Sequence, residues 1–202
     1  MGKNMVKLNK YKESDGYMLI LASKSPRRRD LLSIITEDFR IIPAVGEEYA
    51  DKSLSPDKYV CELARHKAEE IAEQCPSDIV IGADTIVAVN GEILGKPVDE
   101  ADAGRMLRQL SGTEHHVYTG VYIVGGSGNI AFAEDTTVRF FKLSEQEIDD
   151  YIATGEPFDK AGAYGIQGLF GKFITGIEGD YYNVMGLPVA RLYKELKDNS
   201  LL

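Results

Sequence analysis

Apolar residues recur along this chain at two spacings, and the change from one to the other lays out its elements. Leu19-Ile20-Leu21 is a short continuous apolar run, the pattern of a buried strand. Helical spacing follows in Pro26–Ile35, with Leu31, Leu32 and Ile35 on one side. Phe39–Ile42 is a second short strand, closed by Pro43. A long helix is predicted from Ser55-Pro56 to about Gln74, because Val60, Leu63, Ala64, Ala68 and Ile71 form one stripe. Ile79–Val89 is almost uniformly apolar and β-branched, and Asn90-Gly91 is a hairpin signal that returns it through Glu92–Leu94. Asp99 caps a helix to about Leu110, with Gly112 just past its end. Val117–Val124 and Ile130–Phe141 read as strands joined by a glycine-rich link. Ser144 and Glu147 form a capping box for a helix to Ala153. Gly155–Gly168 is a polar, glycine-rich loop, Phe173–Ile177 a strand, and Pro188–Lys197 the last helix. Early alternation of strands and helices followed by hairpins predicts an α/β fold with a mixed, twisted sheet and flanking helices.

The turn after the first strand departs from this regularity. Ser23-Lys24-Ser25-Pro26 has helix-start chemistry: a hydroxyl to cap free N–H groups, then a proline where no donor is needed. Arg27, Arg28 and Arg29 follow at once. Cations in a first turn oppose the helix dipole by about 0.3–1 kcal/mol each, and such violations tend to mark functional sites. An anion would reverse the sign, so these residues describe either a phosphate seat or three arginines pointing into solvent.

Composition narrows the field. The chain has 202 residues, enough for one sizeable domain or two small lobes around a cleft. No apolar run is long enough to span a bilayer, and Met1–Tyr17 is a polar tail without the apolar core of a secretory signal. The domain is expected over residues 18–198. Two cysteines, Cys61 and Cys75, make neither a disulfide framework nor a metal motif, which fits a reduced cytoplasmic setting. A net charge of −9 opposes binding to nucleic acid or anionic membranes. Phosphates would have to be handled by a local cation cluster in an acidic molecule.

Asp84 interrupts the apolar strand Ile79–Val89, and a buried charge is costly unless paired or metal-bound. It is either a structural carboxylate at a bulge near Gly82 or a functional one, and Thr85 beside it favours the second. Glu47 and Glu48 are candidate partners for Mg²⁺, which is held by one or two carboxylates together with phosphate oxygens; alone they read as a solvated acidic loop. Lys96, between Gly95 and Pro97, is a candidate phosphate cation, whereas Lys67 alone reads as a helix-surface charge. His66, His115 and His116 have no metal-ligand or triad spacing and read as structural. Walker A and Gly-x-Ser-x-Gly motifs are absent.

Taken in order, Leu21-Ala-Ser-Lys-Ser-Pro-Arg-Arg, Glu47-Glu48, Arg65-His66-Lys67, Gly82-Ala-Asp-Thr-Ile-Val, Gly95-Lys-Pro, Leu110-Ser-Gly, Asp159-Lys-Ala-Gly-Ala-Tyr-Gly-Ile-Gln-Gly and Tyr182-Asn-Val-Met-Gly-Leu-Pro resemble the Maf family. The resemblance covers about Met18 to Lys197. It implies an elongated, two-lobed domain with a central cleft, related to the inosine-triphosphate pyrophosphatases, and house-cleaning hydrolysis of nucleoside triphosphates to monophosphate and pyrophosphate. By the same resemblance Asp84 is the catalytic acidic residue, and Ser23, Arg27, Arg28, Glu48, Lys67 and Lys96 belong to the substrate and metal site. Arg27, Thr85 and Gln167 match positions that mark the dTTP/UTP-hydrolysing branch. A divalent cation, Mg²⁺ or Mn²⁺, is expected on Glu48 and Asp84. The alternative is a non-catalytic nucleotide-binding regulator of cell division. The oligomeric state stays open, a homodimer included.

Overall fold

β3, Ile79–Val89, is the strand on which the rest is assembled. The computed structural model describes residues 16–46, 49–126 and 128–202. Glu47, Glu48, Ser127 in the glycine-rich link and nearly all of the expected tail lie outside them. Tyr17, counted with that tail, is tied in: its hydroxyl donates to the Ser200 carbonyl at 3.0 Å and its ring packs on the core.

β1 (Leu19–Leu21) lies parallel to β2 (Phe39–Ile41) on one side and to the start of β3 on the other. β3 then runs antiparallel to β5 (Glu114–Val124), which pairs with β6 (Ile130–Phe140), which pairs with β7 (Ile174–Glu178). The order is β2-β1-β3-β5-β6-β7, with β4 (Glu92–Leu94) on the far end of β3. β1 pairs β3 only at residues 79–81, and β4 pairs it only at 87–89. The stretch between them has no strand on that edge among the described residues.

Alternation along β3 sends its even and odd residues to opposite faces. Val80 and Ile86 pack against α2 (Pro56–Gln74) with Val60, Leu63, Ala68 and Ile71. The odd residues divide between two cores on the other face. Ile79, Ile81 and Ala83 join α1 (Pro26–Leu32) and the C-terminal α6 (Val189–Asp198). Val87 and Val89 join α3 (Glu100–Leu110) and α4 (Glu145–Ile152). Two apolar lobes therefore share one sheet, and Thr85 lies between them.

Capping follows the sequence at α1, α3 and α4: Ser25 accepts from the Arg28 N–H, Asp99 from Asp102, and Ser144 and Glu147 close a full capping box. Ser55 makes no such bond to α2, because its hydroxyl engages the Asp57 carboxylate and holds that acid below its usual range. The expected helix to Ile35 ends at Leu32. β5 begins at Glu114, three residues before the expected Val117, because its polar start pairs with Arg139 of β6 and buries His115. The glycine-rich loop is not structureless but holds short 3₁₀ turns at Glu156–Asp159 and Ala161–Ala163, with a third at Leu169–Phe173 just beyond it. A helix absent from the pattern, α5 (Tyr181–Met185), stands before the last one.

Candidate active site

The cleft opens where β3 has lost β1 and not yet met β4. It encloses about 540 Å³ and is lined by Ser23, Arg27, Arg28, Lys67, Asp84, Thr85, Lys96 and Gln167, so every expected site residue except Glu48 faces one space. Glu48 lies outside the described residues. A second space of about 1120 Å³ continues past Lys67, Asp84 and Lys96 toward Tyr59 and Tyr118.

Asp84 and Thr85 are neighbours in sequence but look to opposite faces of the sheet. Asp84 turns toward α2, where Lys67 Nζ meets its Oδ1 at 2.5 Å. Their side chains are only 17% and 12% exposed, a degree of desolvation at which a carboxylate must have a partner. Lys67 is thus a cleft cation and not the helix-surface charge that it suggests in isolation. Two glycines allow the approach. A Cβ on Gly82 would stand 2.2 Å from the Ala64 carbonyl oxygen, and one on Gly120, beside Asp84 on β5, 2.6 Å from that of Val60. Only bare backbone lets α2 lie this near the sheet.

Thr85 turns to the other face, toward Arg28. The guanidinium donates through Nη2 to Thr85 Oγ1 at 3.0 Å, through Nε to the Gly186 carbonyl at 2.8 Å and through Nη1 to Ser23 Oγ at 3.4 Å. Arg27 reaches across the cleft to Asp159, Nη1 to Oδ2, at 2.9 Å. Lys160 Nζ holds the other Asp159 oxygen at 2.6 Å. Burial works against the charge on Asp159, yet Lys160 and Arg27 prevail and keep its carboxyl below the usual range. Arg29 points away and pairs with Asp30.

Lys24, Arg27, Arg28, Lys67, Lys96 and Lys160 line the cleft against the carboxylates of Asp84 and Asp159. The lining is cationic in a chain of net charge −9, which suits a polyanion. Sequence reasoning did not single out Lys160 or Glu70. Lys160 stood in the glycine-rich motif but had no spacing to mark it. Glu70 accepts from the Val45 and Gly46 N–H groups at 2.9 and 3.0 Å, which holds its carboxyl low and fixes the backbone just before Glu47. Its only sequence signal was a position one helical turn beyond Lys67.

The loop bearing Gln167 is held from beneath. Glu156 accepts the Leu169 N–H at 3.1 Å and the Tyr151 hydroxyl at 3.0 Å. Tyr164, itself in the lining, shares a 2.8 Å hydrogen bond with His115 Nε2 in a cage of Phe140 and Phe170. Burial lowers the His115 pKa to about 3 and raises that of Tyr164, so both are neutral at pH 7. His115 is structural, as its spacing suggests. The Gln167 amide is exposed and makes no hydrogen bond among the described residues. Cys61, with burial raising its thiol to about 11, is no nucleophile.

Among the described residues no group of three or more His, Cys, Asp or Glu could cage a metal. Asp84 nevertheless offers a carboxylate at the floor of a cationic cleft. Mg²⁺ commonly binds through one or two carboxylates, with waters and substrate phosphates completing its shell. The donor set therefore fits a dication shared with a phosphate ligand rather than an all-protein site. No described helix is long and apolar enough to cross a membrane.

Known proteins share both the sequence and the fold. A "dTTP/UTP pyrophosphatase" of Koribacter versatilis (strain Ellin345) is 51% identical over 187 residues, spanning 93% of this chain and 97% of its own. A protein of the same name from Agathobacter rectalis is 54% identical, spanning 89% of this chain and 96% of its own. The solved structure of the Staphylococcus aureus Ham1 protein superposes with a TM-score of 0.52 over 89% of this chain and 98% of that one; at 16% identity this is a likeness of fold alone. The sequence model for the Maf-like protein family matches residues 18–199, and with these relatives it establishes that this chain belongs to that family.

Proposed function

We propose that this protein hydrolyses nucleoside triphosphates, with dTTP and UTP preferred, to the monophosphate and pyrophosphate. The observation that carries the reading is the Lys67–Asp84 pair at the floor of a cleft ringed by cations, in a chain half identical to proteins named for this activity. Attack at the α-phosphorus needs a positioned water, an in-line leaving group and neutralised charge. Asp84 orients the water and takes its proton, and Lys67 holds the carboxylate in place. Arg27, Arg28 and Lys96 grip the triphosphate, with Ser23 adding a hydroxyl, and the pyrophosphate leaves along them. Asp84 and Glu48 would hold a divalent cation, Mg²⁺ or Mn²⁺, which would supply further charge neutralisation and lower the pKa of a bound water. Gln167 faces the base. Free, half-buried cysteines agree with a reduced, cytoplasmic setting.

The test is pyrophosphate release from dTTP, UTP, CTP, ATP and GTP, each with and without Mg²⁺ or Mn²⁺. Metal-dependent release, fastest from dTTP and UTP, is expected. Tight binding of UTP without release would point instead to a nucleotide-binding regulator.

A further inference from the structure

We infer that Thr119, a residue outside the cleft, is a positioning residue that sets the direction of the Thr85 hydroxyl and thereby holds the Arg28 guanidinium. The inference rests on the triphosphate reading of the cleft. Thr119 is fully buried on β5, directly opposite Thr85 in the ladder, and does not line the cleft.

Proton counting fixes the orientation of each bond. Thr119 Oγ1 donates to the Asn183 carbonyl at 3.0 Å, and a carbonyl can only accept. That uses the single Thr119 proton, so at its 2.9 Å contact with Thr85 Oγ1 it accepts. Thr85 must then donate inward, and what it presents to Arg28 Nη2 is a lone pair. Arginine has donors only, so the run Arg28 to Thr85 to Thr119 to Asn183 has a single consistent sense. Its far end is rigid. Asn183 is fully buried, and its Nδ2 donates to the Val117 carbonyl and to Thr136 Oγ1, both at 2.9 Å. The turn that carries Asn183 also supplies the Gly186 carbonyl that accepts Arg28 Nε at 2.8 Å, so the run closes into a ring.

Two consequences follow. Thr85 has no proton to give a pyrimidine carbonyl, so it contributes to the cleft through Arg28 rather than as a second donor to the base. Losing the Thr119 hydroxyl frees the Thr85 proton to turn outward, and the fork loses its fixed acceptor.

The experiment compares Thr119→Val, which keeps shape but loses the hydroxyl, with Thr119→Ser, which keeps the hydroxyl. KM and kcat are measured for UTP, alongside melting without nucleotide. Thr119→Val is expected to raise KM about tenfold, the usual worth of one such bond, with a smaller change in kcat, and Thr119→Ser to restore it. Adding Arg28→Lys to Thr119→Val should cost less than the sum of the two. A lowered melting temperature with KM and kcat unchanged, or strict additivity with Arg28→Lys, overturns the proposal. Should Thr119→Val not fold, Thr85→Val breaks the same ring from the cleft side and is subject to the same additivity criterion. UTP binding by calorimetry accompanies the kinetics. Wild-type chain that binds UTP without releasing pyrophosphate would refute the hydrolase reading, while the affinities of the variants would still decide the role of Thr119.

Discussion

Lys67 and Asp84 come from different elements, and their 2.5 Å contact exists because Gly82, two residues before Asp84, has no side chain. The helix and strand touch through backbone where any Cβ would collide. Gly82→Ala should therefore destabilise the protein by about 1–3 kcal/mol or more, as overpacking does, and should reduce pyrophosphate release further by moving Lys67 off Asp84. Urea unfolding with steady-state kinetics on the same preparation tests this. Unchanged stability and turnover would mean that the close approach does not set the pair.

Asp84→Asn keeps the shape and removes the charge. Turnover should fall about 10²–10⁴-fold, since loss of a general base costs that much. The melting temperature should fall as well, because the largely desolvated Lys67 ammonium keeps an amide oxygen but loses the Asp84 counter-charge. Near-normal turnover would leave Asp84 a structural role only.

The two cleft arginines should differ in the absence of nucleotide. From the sequence alone both oppose the helix dipole and either could be removed at little cost. The structure separates them. Among the described residues Arg27 has only Asp159 to lose, in a half-exposed pair worth about 0–1 kcal/mol. Arg28 loses its bonds to Gly186, Thr85 and Ser23, about 1–3 kcal/mol together. Melting of Arg27→Ala should stay near wild type, while Arg28→Ala should melt lower by about 2–4 °C per kcal/mol lost. Equal melting of the two variants would contradict the ring around Arg28.

Gln167 carries a donor beside an acceptor, the complement of the N3–H and carbonyl of uracil and thymine, whereas cytosine reverses both groups. An amide that turns freely suits either base, so discrimination requires the bound nucleotide to fix its orientation. The kcat/KM values should rank dTTP and UTP above CTP, ATP and GTP, and Gln167→Glu should narrow the gap. Equal values for UTP and CTP would remove Gln167 from base selection.

His115 adds a pH dependence to stability. Its pKa is about 3 folded against an ordinary 6.5, so below pH 6.5 the unfolded chain binds a proton that the folded one refuses. Stability is complete above that value and is lost as pH falls toward 3, by about 1.4 kcal/mol per pH unit. Urea midpoints at pH 7, 6 and 5 should converge for His115→Gln relative to wild type; parallel curves would assign the acid sensitivity elsewhere.

Period and punctuation made most of the fold legible. Asn90-Gly91 announced the β3–β4 hairpin, and Ser144 with Glu147 announced α4. α5 escaped because five residues are too few to show a helical period, and Tyr181 and Tyr182 look equally well like strand. The chemistry of Asp84 could be read from its strand because a charge there has no ordinary explanation. Thr119 and Asn183 could not. A threonine in a strand and an asparagine near a glycine are ordinary residues, and only the register that sets Thr119 against Thr85 gives them meaning.

The free edge of β3 has a mechanical consequence. The wall bearing Ser23 and α1 hangs from the short ladder at residues 79–81, and the wall bearing Lys96 hangs from the one at 87–89. Nothing in the sheet joins the two walls directly on that edge among the described residues. The distance between them is therefore set by the twist that β3 shares with β5, which pairs with it from Val80 to Ala88, and by the Arg27–Asp159 contact across the cleft. A change in the width of the cleft would thus be a torsion of two paired strands rather than a hinge at a loop.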